Sequence, residues 1–238
     1  MTTDDLPLSH PTRRNMIWLS IQFIVRLVFS VWLRYRARAS DNLPKEGGGL
    51  VLVNHQSFLD PLLVGLPLQR PVSYLARDNL FRVPVIGWIL RRTYVVPINR
   101  DAASTASIRN ALKRMEHGFL VGLFPEGTRS DDGEVGEFKP GFISLIRRAK
   151  VPVYPVGIAG AHEAMPRDGV RLLPGPVRVV FGEPLCEERL AELRVKGREE
   201  ELIQYARDAV VACQTEAARW RAGQEQHSDQ GAESSGTS

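Results

Sequence analysis

The chain of 238 residues, 43% hydrophobic and 24% charged, is long enough to enclose one sizeable core and too apolar to be disordered throughout. A formal charge of +4 suits an anionic surface or partner, but without a zinc-finger spacing or an RNA-binding signature it does not point to nucleic acid. Two cysteines, Cys186 and Cys213, are too few for a disulfide framework and too far apart for a Cys-x-x-Cys site, so a reducing compartment is expected.

Residues 1–15 are polar, carry Pro7, Pro11 and Arg13-Arg14, and read as a flexible lead. Residues 16–38 follow as a membrane-associating helical segment whose centre, Ile17 to Leu33, is the most apolar run of the chain. Gln22, Arg26 and Ser30 recur every four residues and form a narrow polar stripe on it. A charge at a bilayer centre costs a few kcal/mol, and the run is at the short limit for spanning, so a helix lying in or on one leaflet is expected. Arginines flank both ends, Arg13-Arg14 and Arg34, Arg36 and Arg38, where they can meet anionic headgroups but give no orientation. Arg26 and the lack of a small-residue cleavage site argue against a signal peptide. A buried core helix is the alternative.

Residues 39–223 read as a single α/β domain with a mixed, mostly parallel sheet flanked by helices. Expected strands are Leu50 to Val53, Val72 to Leu75, Tyr94 to Ile98, Leu120 to Phe124, Val153 to Ile158 and Val177 to Phe181. Ser104 to His117 has helical spacing and stops at Gly118, which places His117 in a last turn. Phe142 to Ala149 reads as a shorter helix, and Glu187 to Ala222 as one or two amphipathic helices on the sheet. Residues 224–238, rich in Gln, Ser and Gly, are expected to be a disordered tail.

Two polar clusters stand at strand ends. Asn54-His55-Gln56-Ser57-Phe58-Leu59-Asp60 follows the first run, and Phe124-Pro125-Glu126-Gly127-Thr128-Arg129-Ser130 follows Phe119 to Leu123. The carboxyl ends of strands are where ligand chemistry collects in an open α/β sheet. On one continuous helix His55 and Asp60 would point about 140° apart. If the strand ends at His55 and Pro61 opens a helix, Asp60 can accept a hydrogen bond from one imidazole nitrogen and leave the other as a general base. Otherwise Asp60 only caps a helix.

The two clusters, in that order, resemble the glycerolipid acyltransferase family, most closely its 1-acylglycerol-3-phosphate acyltransferases. Val96-Pro97-Ile98-Asn99-Arg100 and Val151 to Val156 after Lys139-Pro140-Gly141 extend the resemblance over roughly residues 40 to 185. It implies an O-acyltransferase with His55 and Asp60 catalytic. It further implies that Glu126, Gly127 and Arg129 belong to the acceptor site, that Thr128 stands in the same block, and that Arg100 contributes. It also implies phospholipid biosynthesis at a membrane, on the cytoplasmic face of the inner or cell membrane.

The residues themselves admit that chemistry. Transfer from a thioester to a hydroxyl needs a base, oxyanion stabilisation and grips on both substrates. Arg129 can bind a phosphate through two parallel hydrogen bonds, with Arg100 and Lys139 as further cations. Glu126 either joins the acceptor site or pairs with Arg129 to shape the loop. The Gly127 amide is a candidate oxyanion donor. No Gly-x-Ser-x-Gly elbow is present, Ser57 suits capping better than nucleophilic attack, and the histidines are too scattered for a metal site. No metal or organic cofactor is expected, with acyl-CoA or acyl carrier protein as co-substrate. The expected reaction acylates the sn-2 hydroxyl of 1-acylglycerol 3-phosphate to phosphatidic acid. Another lysolipid acceptor, or a lipid hydrolase in which the pair activates water, is the alternative.

Overall fold

The computed structural model describes residues 16–77, 96–98, 105–167, 169 and 171–233. Its centre is strand β2, Gly49–Val53, in which Leu50 and Leu52 face one side and Val51 and Val53 the other, all fully buried. A strand buried on both faces belongs to a sheet covered by helices on both sides, which is why it reads as a continuous apolar run. The other strands are β1 (Arg36–Arg38), β3 (Val72–Arg77), β4 (Val96–Ile98), β5 (Leu120–Leu123), β6 (Val153–Ala159) and β7 (Arg178–Phe181). Their order is β1-β7-β6-β2-β5-β3-β4. Every pairing is parallel except β6 with β7.

The helices are α1 (Met16–Trp32), α2 (Asp60–Gly65), α3 (Thr105–Glu116), α4 (Ile143–Arg148), α5 (Ala161–Ala164), α6 (Glu187–Leu193) and α7 (Glu199–Glu233). On one face Ala111, Leu145, Leu190, Leu202 and Val210 pack over Leu50, Leu52 and Val121. On the other, Phe29, Leu33, Leu63, Val64 and Ala161 pack over Val51, Val53 and Val156. The helix expected to end before Gly118 does so, with Gly118 at φ 94 supplying the left-handed turn.

α7 crosses β6 so closely that a Cβ on Gly157 would lie 2.0 Å from the backbone nitrogen of Gln214. Gly157→Ala must therefore push a helix off the sheet. It is expected to lower stability by about 3 kcal/mol, the upper range for overpacking, as read by denaturant melting. A loss under about 1 kcal/mol would show that α7 yields easily.

Two boundaries differ from the sequence reading. The helical segment expected over 16–38 ends at Trp32, because Arg34 takes a left-handed turn at φ 40 and the Tyr35 N–H returns to the Phe29 carbonyl at 3.0 Å. Arg36–Arg38 then pairs with β7 as an edge strand. The tail expected to be disordered from residue 224 continues as helix to Glu233. No proline interrupts it there, and a helix already nucleated on the sheet extends at one hydrogen bond per residue.

Two residues of the polar stripe of α1, Gln22 and Arg26, bond back to the protein, while Arg26 and Ser30 remain exposed. Gln22 Nε2 donates to the carbonyls of Leu66 at 3.1 Å and Leu68 at 3.0 Å, and Arg26 donates to Leu66 at 3.2 Å. Phe23, Ile24, Leu27 and Val31 are turned outward, Phe23 and Val31 more than 70% exposed. Val25 and Phe29 of the same helix pack against the core, so α1 carries apolar residues on its inward and its outward side. No helix among the described residues is long and apolar enough to cross a membrane.

Candidate functional site

β2 and β5 are neighbours, so the two polar clusters leave the sheet side by side. Asn54 keeps the first cluster in line with the sheet: its amide donates to the Ile158 carbonyl at 3.0 Å and accepts from the Ile158 N–H at 2.7 Å. This side chain imitates a strand partner where the ladder ends.

The chain then turns, and α2 begins at Asp60 with Pro61 in its first turn. The turn brings Asp60 Oδ2 to 2.8 Å from His55 Nδ1. The same oxygen accepts the N–H groups of Gln56 at 2.7 Å and Ser57 at 2.8 Å. Asp60 is fully buried. Burial raises its pKa, and the hydrogen bonds from His55, Ser57 and Gln56 pull the other way. A carboxylate on Nδ1 holds the proton there and leaves Nε2 as the basic nitrogen. The imidazole stacks on Phe124 at 4.1 Å, and Phe124 stacks on Tyr74 at 5.5 Å, so the ring plane is fixed by packing as well as by Asp60.

The second cluster grips the first through the backbone. Glu126 Oε1 accepts the His55 N–H at 2.8 Å, its Oε2 accepts the Gly136 N–H at 3.2 Å, and the Ser130 N–H donates to the His55 carbonyl at 2.7 Å. Glu126 thus spends both oxygens on backbone amides. Of its two readings, the contact with Arg129 is not formed. Arg129 instead lies 3.6 Å over the Phe58 ring and donates to the Arg167 carbonyl at 2.7 Å.

Burial raises the pKa of Glu126 above the ordinary 4.5, against the two amide hydrogen bonds. The folded chain then holds this proton more tightly than the unfolded chain, so the group erodes stability as pH rises from about 4.5 through its folded value. Glu126→Gln cannot ionise. Its melting temperature is expected to gain on that of wild type as pH climbs through this window, whereas a gap independent of pH would reject the assignment.

Gly127 corrects one expectation. Its N–H donates to the Phe124 carbonyl at 3.0 Å, so that amide closes a turn and is not offered to an oxyanion. At φ 68 the residue takes a left-handed conformation, and a Cβ there would lie 3.2 Å from Lys139 Nζ. Gly127 therefore lets Lys139 lie across the loop. Thr128, Arg129 and Lys139 line a cleft of about 370 Å³ that also includes Glu126. His55 is not in its lining, and Glu126 joins the two regions. Arg100 lies outside the described residues.

Sequence reasoning missed Gln56. Its buried amide donates to the Gly133 carbonyl and accepts from the Ala161 N–H at 3.1 Å, tying the loop after β5 to the start of α5. The available signal was a run of polar residues directly after a buried strand, since buried polar groups need partners. Ser57 is buried too. Its hydroxyl donates to the Met165 carbonyl at 2.9 Å and makes only a long 3.4 Å contact with the Leu59 N–H, so it braces the loop more than it caps.

A histidine held by a buried carboxylate, beside a polar cleft in which Arg129 and Lys139 stand among acidic residues, at the carboxyl ends of parallel strands, defines a class of base-assisted transfer or hydrolysis sites. The chain belongs to the Acyltransferase family, whose model matches residues 34–159. It is 36% identical over 149 residues to a chloroplastic 1-acyl-sn-glycerol-3-phosphate acyltransferase of Brassica napus, covering 61% of this chain and 43% of that protein. It is 30% identical over 162 residues to the 1-acyl-sn-glycerol-3-phosphate acyltransferase of Bacillus subtilis, covering 66% of this chain and 77% of that one. The crystal structure of the 1-acyl-sn-glycerophosphate acyltransferase PlsC from Thermotoga maritima superposes with a TM-score of 0.69 at 28% identity, covering 83% of this chain and 78% of that one. The chain spans under half the length of the chloroplast relative.

Proposed function

We propose that the protein is an O-acyltransferase that moves a fatty acyl group from an acyl thioester to the sn-2 hydroxyl of 1-acylglycerol 3-phosphate, forming phosphatidic acid. The observation that carries this reading is the 2.8 Å contact of His55 Nδ1 with the fully buried Asp60. Family membership and the names of its relatives narrow the class from base-assisted transfer in general to acyl transfer onto a glycerol phosphate.

His55 Nε2 takes the proton of the acceptor hydroxyl as its oxygen attacks the thioester carbon, and Asp60 stabilises the imidazolium that results. The tetrahedral intermediate collapses by breaking the carbon–sulfur bond, and the imidazolium can return the proton to the leaving thiolate. Attack by the acceptor itself needs no acyl-enzyme, and Ser57, engaged with Met165, is not placed to form one. Arg129, Thr128 and Lys139, in the cleft joined to His55 through Glu126, bind the acceptor phosphate, and Arg100 is a further candidate for that role. The donor is acyl-CoA or acyl carrier protein, and no metal or organic cofactor takes part. The outward apolar face of α1 supports association with a membrane surface, on its cytoplasmic side, where acyl thioesters are made and both lipids reside.

Mass spectrometry of the products formed from each acyl donor with a panel of lysolipids tests the reading. Phosphatidic acid made in preference to other lipids supports it. Another acylated lipid replaces the acceptor, and free fatty acid alone overturns acyl transfer in favour of hydrolysis.

A further inference from the structure

A second cavity, of about 350 Å³, lies at the far edge of the sheet, where α1, β1, the end of α2 and α7 converge. Arg26, Arg36 and Arg38 line it together with Ser30, and no acidic residue does among the described residues. Arg36 and Arg38 project from the same side of β1 because side chains alternate along a strand. Neither has a carboxylate partner among the described residues. Arg38 lies flat on Trp220 of α7 at 3.8 Å, which orients its guanidinium plane.

β1 is the edge strand, and its Arg36 N–H donates to Val177. The alternation of a parallel ladder turns the Ala37 N–H the other way, off the edge of the sheet, and Ala37 is among the residues that line the cavity. Three positive side chains therefore line one concave space, with no counter-charge among the described residues that line it. Guanidinium forks match phosphate oxygens better than any other common biological anion.

The place of the cavity identifies what carries the phosphate. Leu27 and Val31, exposed on the outward face of α1, are each one residue, about 100° of helix, from the cavity residues Arg26 and Ser30. A molecule with its phosphate among the arginines can lay acyl chains along that face. We propose that this cavity binds the phosphate of an anionic membrane phospholipid that is not the acceptor. Its lining shares no residue with the cleft at 126–139, and β1 is three strand spacings, about 14 Å, from the strand that carries His55. The inference rests on the membrane-surface reading of α1, which binding to neutral vesicles reports separately.

The test is co-sedimentation of the full chain with neutral phosphatidylcholine vesicles and with vesicles in which about one lipid in five is phosphatidylglycerol, an anionic fraction sufficient to set up a surface potential. Arg36→Ala with Arg38→Ala is expected to weaken binding to the anionic vesicles roughly thirty-fold, about one kcal/mol per arginine converted to affinity, and to leave binding to neutral vesicles unchanged. Ser30→Glu, which leaves β1 intact and adds a negative charge to the cavity, is expected to show the same selective loss. Arg148→Ala with Lys150→Ala removes equal charge from another surface and is expected to have little effect. Equal loss in this control, or no selective loss in either cavity variant, overturns the proposal. Binding of inorganic phosphate that the cavity variants lose, while their binding to anionic vesicles stays at the wild-type level, would assign the cavity to the free anion and overturn the lipid. No binding by wild type to either vesicle would overturn the membrane reading together with the inference.

Discussion

Replacement of His55 by alanine is expected to lower turnover by about 10²- to 10⁴-fold, the usual contribution of a positioned general base. The melting temperature should stay near that of wild type, because the lost ring is one-fifth exposed and Asp60 keeps its two backbone donors. If acceptor binding rests on Arg129 and Lys139 as proposed, it should change little, so the loss falls on kcat. Turnover within about tenfold of wild type would mean that His55 is not the base.

Asp60 should divide into two effects that His55 does not show. Asp60→Asn keeps the shape and an acceptor oxygen but removes the negative charge that faces the imidazolium, so turnover is expected to fall by about 10³-fold with a small change in stability. Asp60→Ala also strips the acceptor from two backbone N–H groups, those of Gln56 and Ser57. Leaving a buried donor unsatisfied costs about 1–3 kcal/mol, so the alanine variant should melt several degrees earlier as well as turn over slowly. Combining Asp60→Asn with His55→Ala should be about as slow as His55→Ala alone, since the carboxylate acts through the ring. Additive losses in kcat would instead give Asp60 a separate role in the chemistry.

Much of the frame was legible because it rests on short-range physics. β2 and β5 are apolar runs too short for helices, and Gly118 marks a helix end by its backbone freedom. The meeting of His55 with Asp60 was legible because five residues with a proline after them permit few turns. β1 was not. Arg36-Ala37-Arg38 has charges at both exposed positions, and only its distant partner β7 makes it a strand. The clamping role of Gln56 was hidden for the same reason, since its partners lie 77 and 105 residues along the chain. The Gly127 amide, by contrast, closes a local turn onto Phe124, which Pro125 and Gly127 themselves favour.

The late pairing of β1 also orders events in time. Residues 36–38 leave the ribosome well before the strand they join, which begins at Arg178. Until that strand emerges, the segment has no sheet edge to occupy, and such long-range closure is slow. The helix ahead of it, with Phe23, Leu27 and Val31 facing outward, is complete long before the domain that will hold it. Nascent chains therefore carry an unsheltered apolar helix until β7 has been made, and its first surroundings are chosen before the fold is finished.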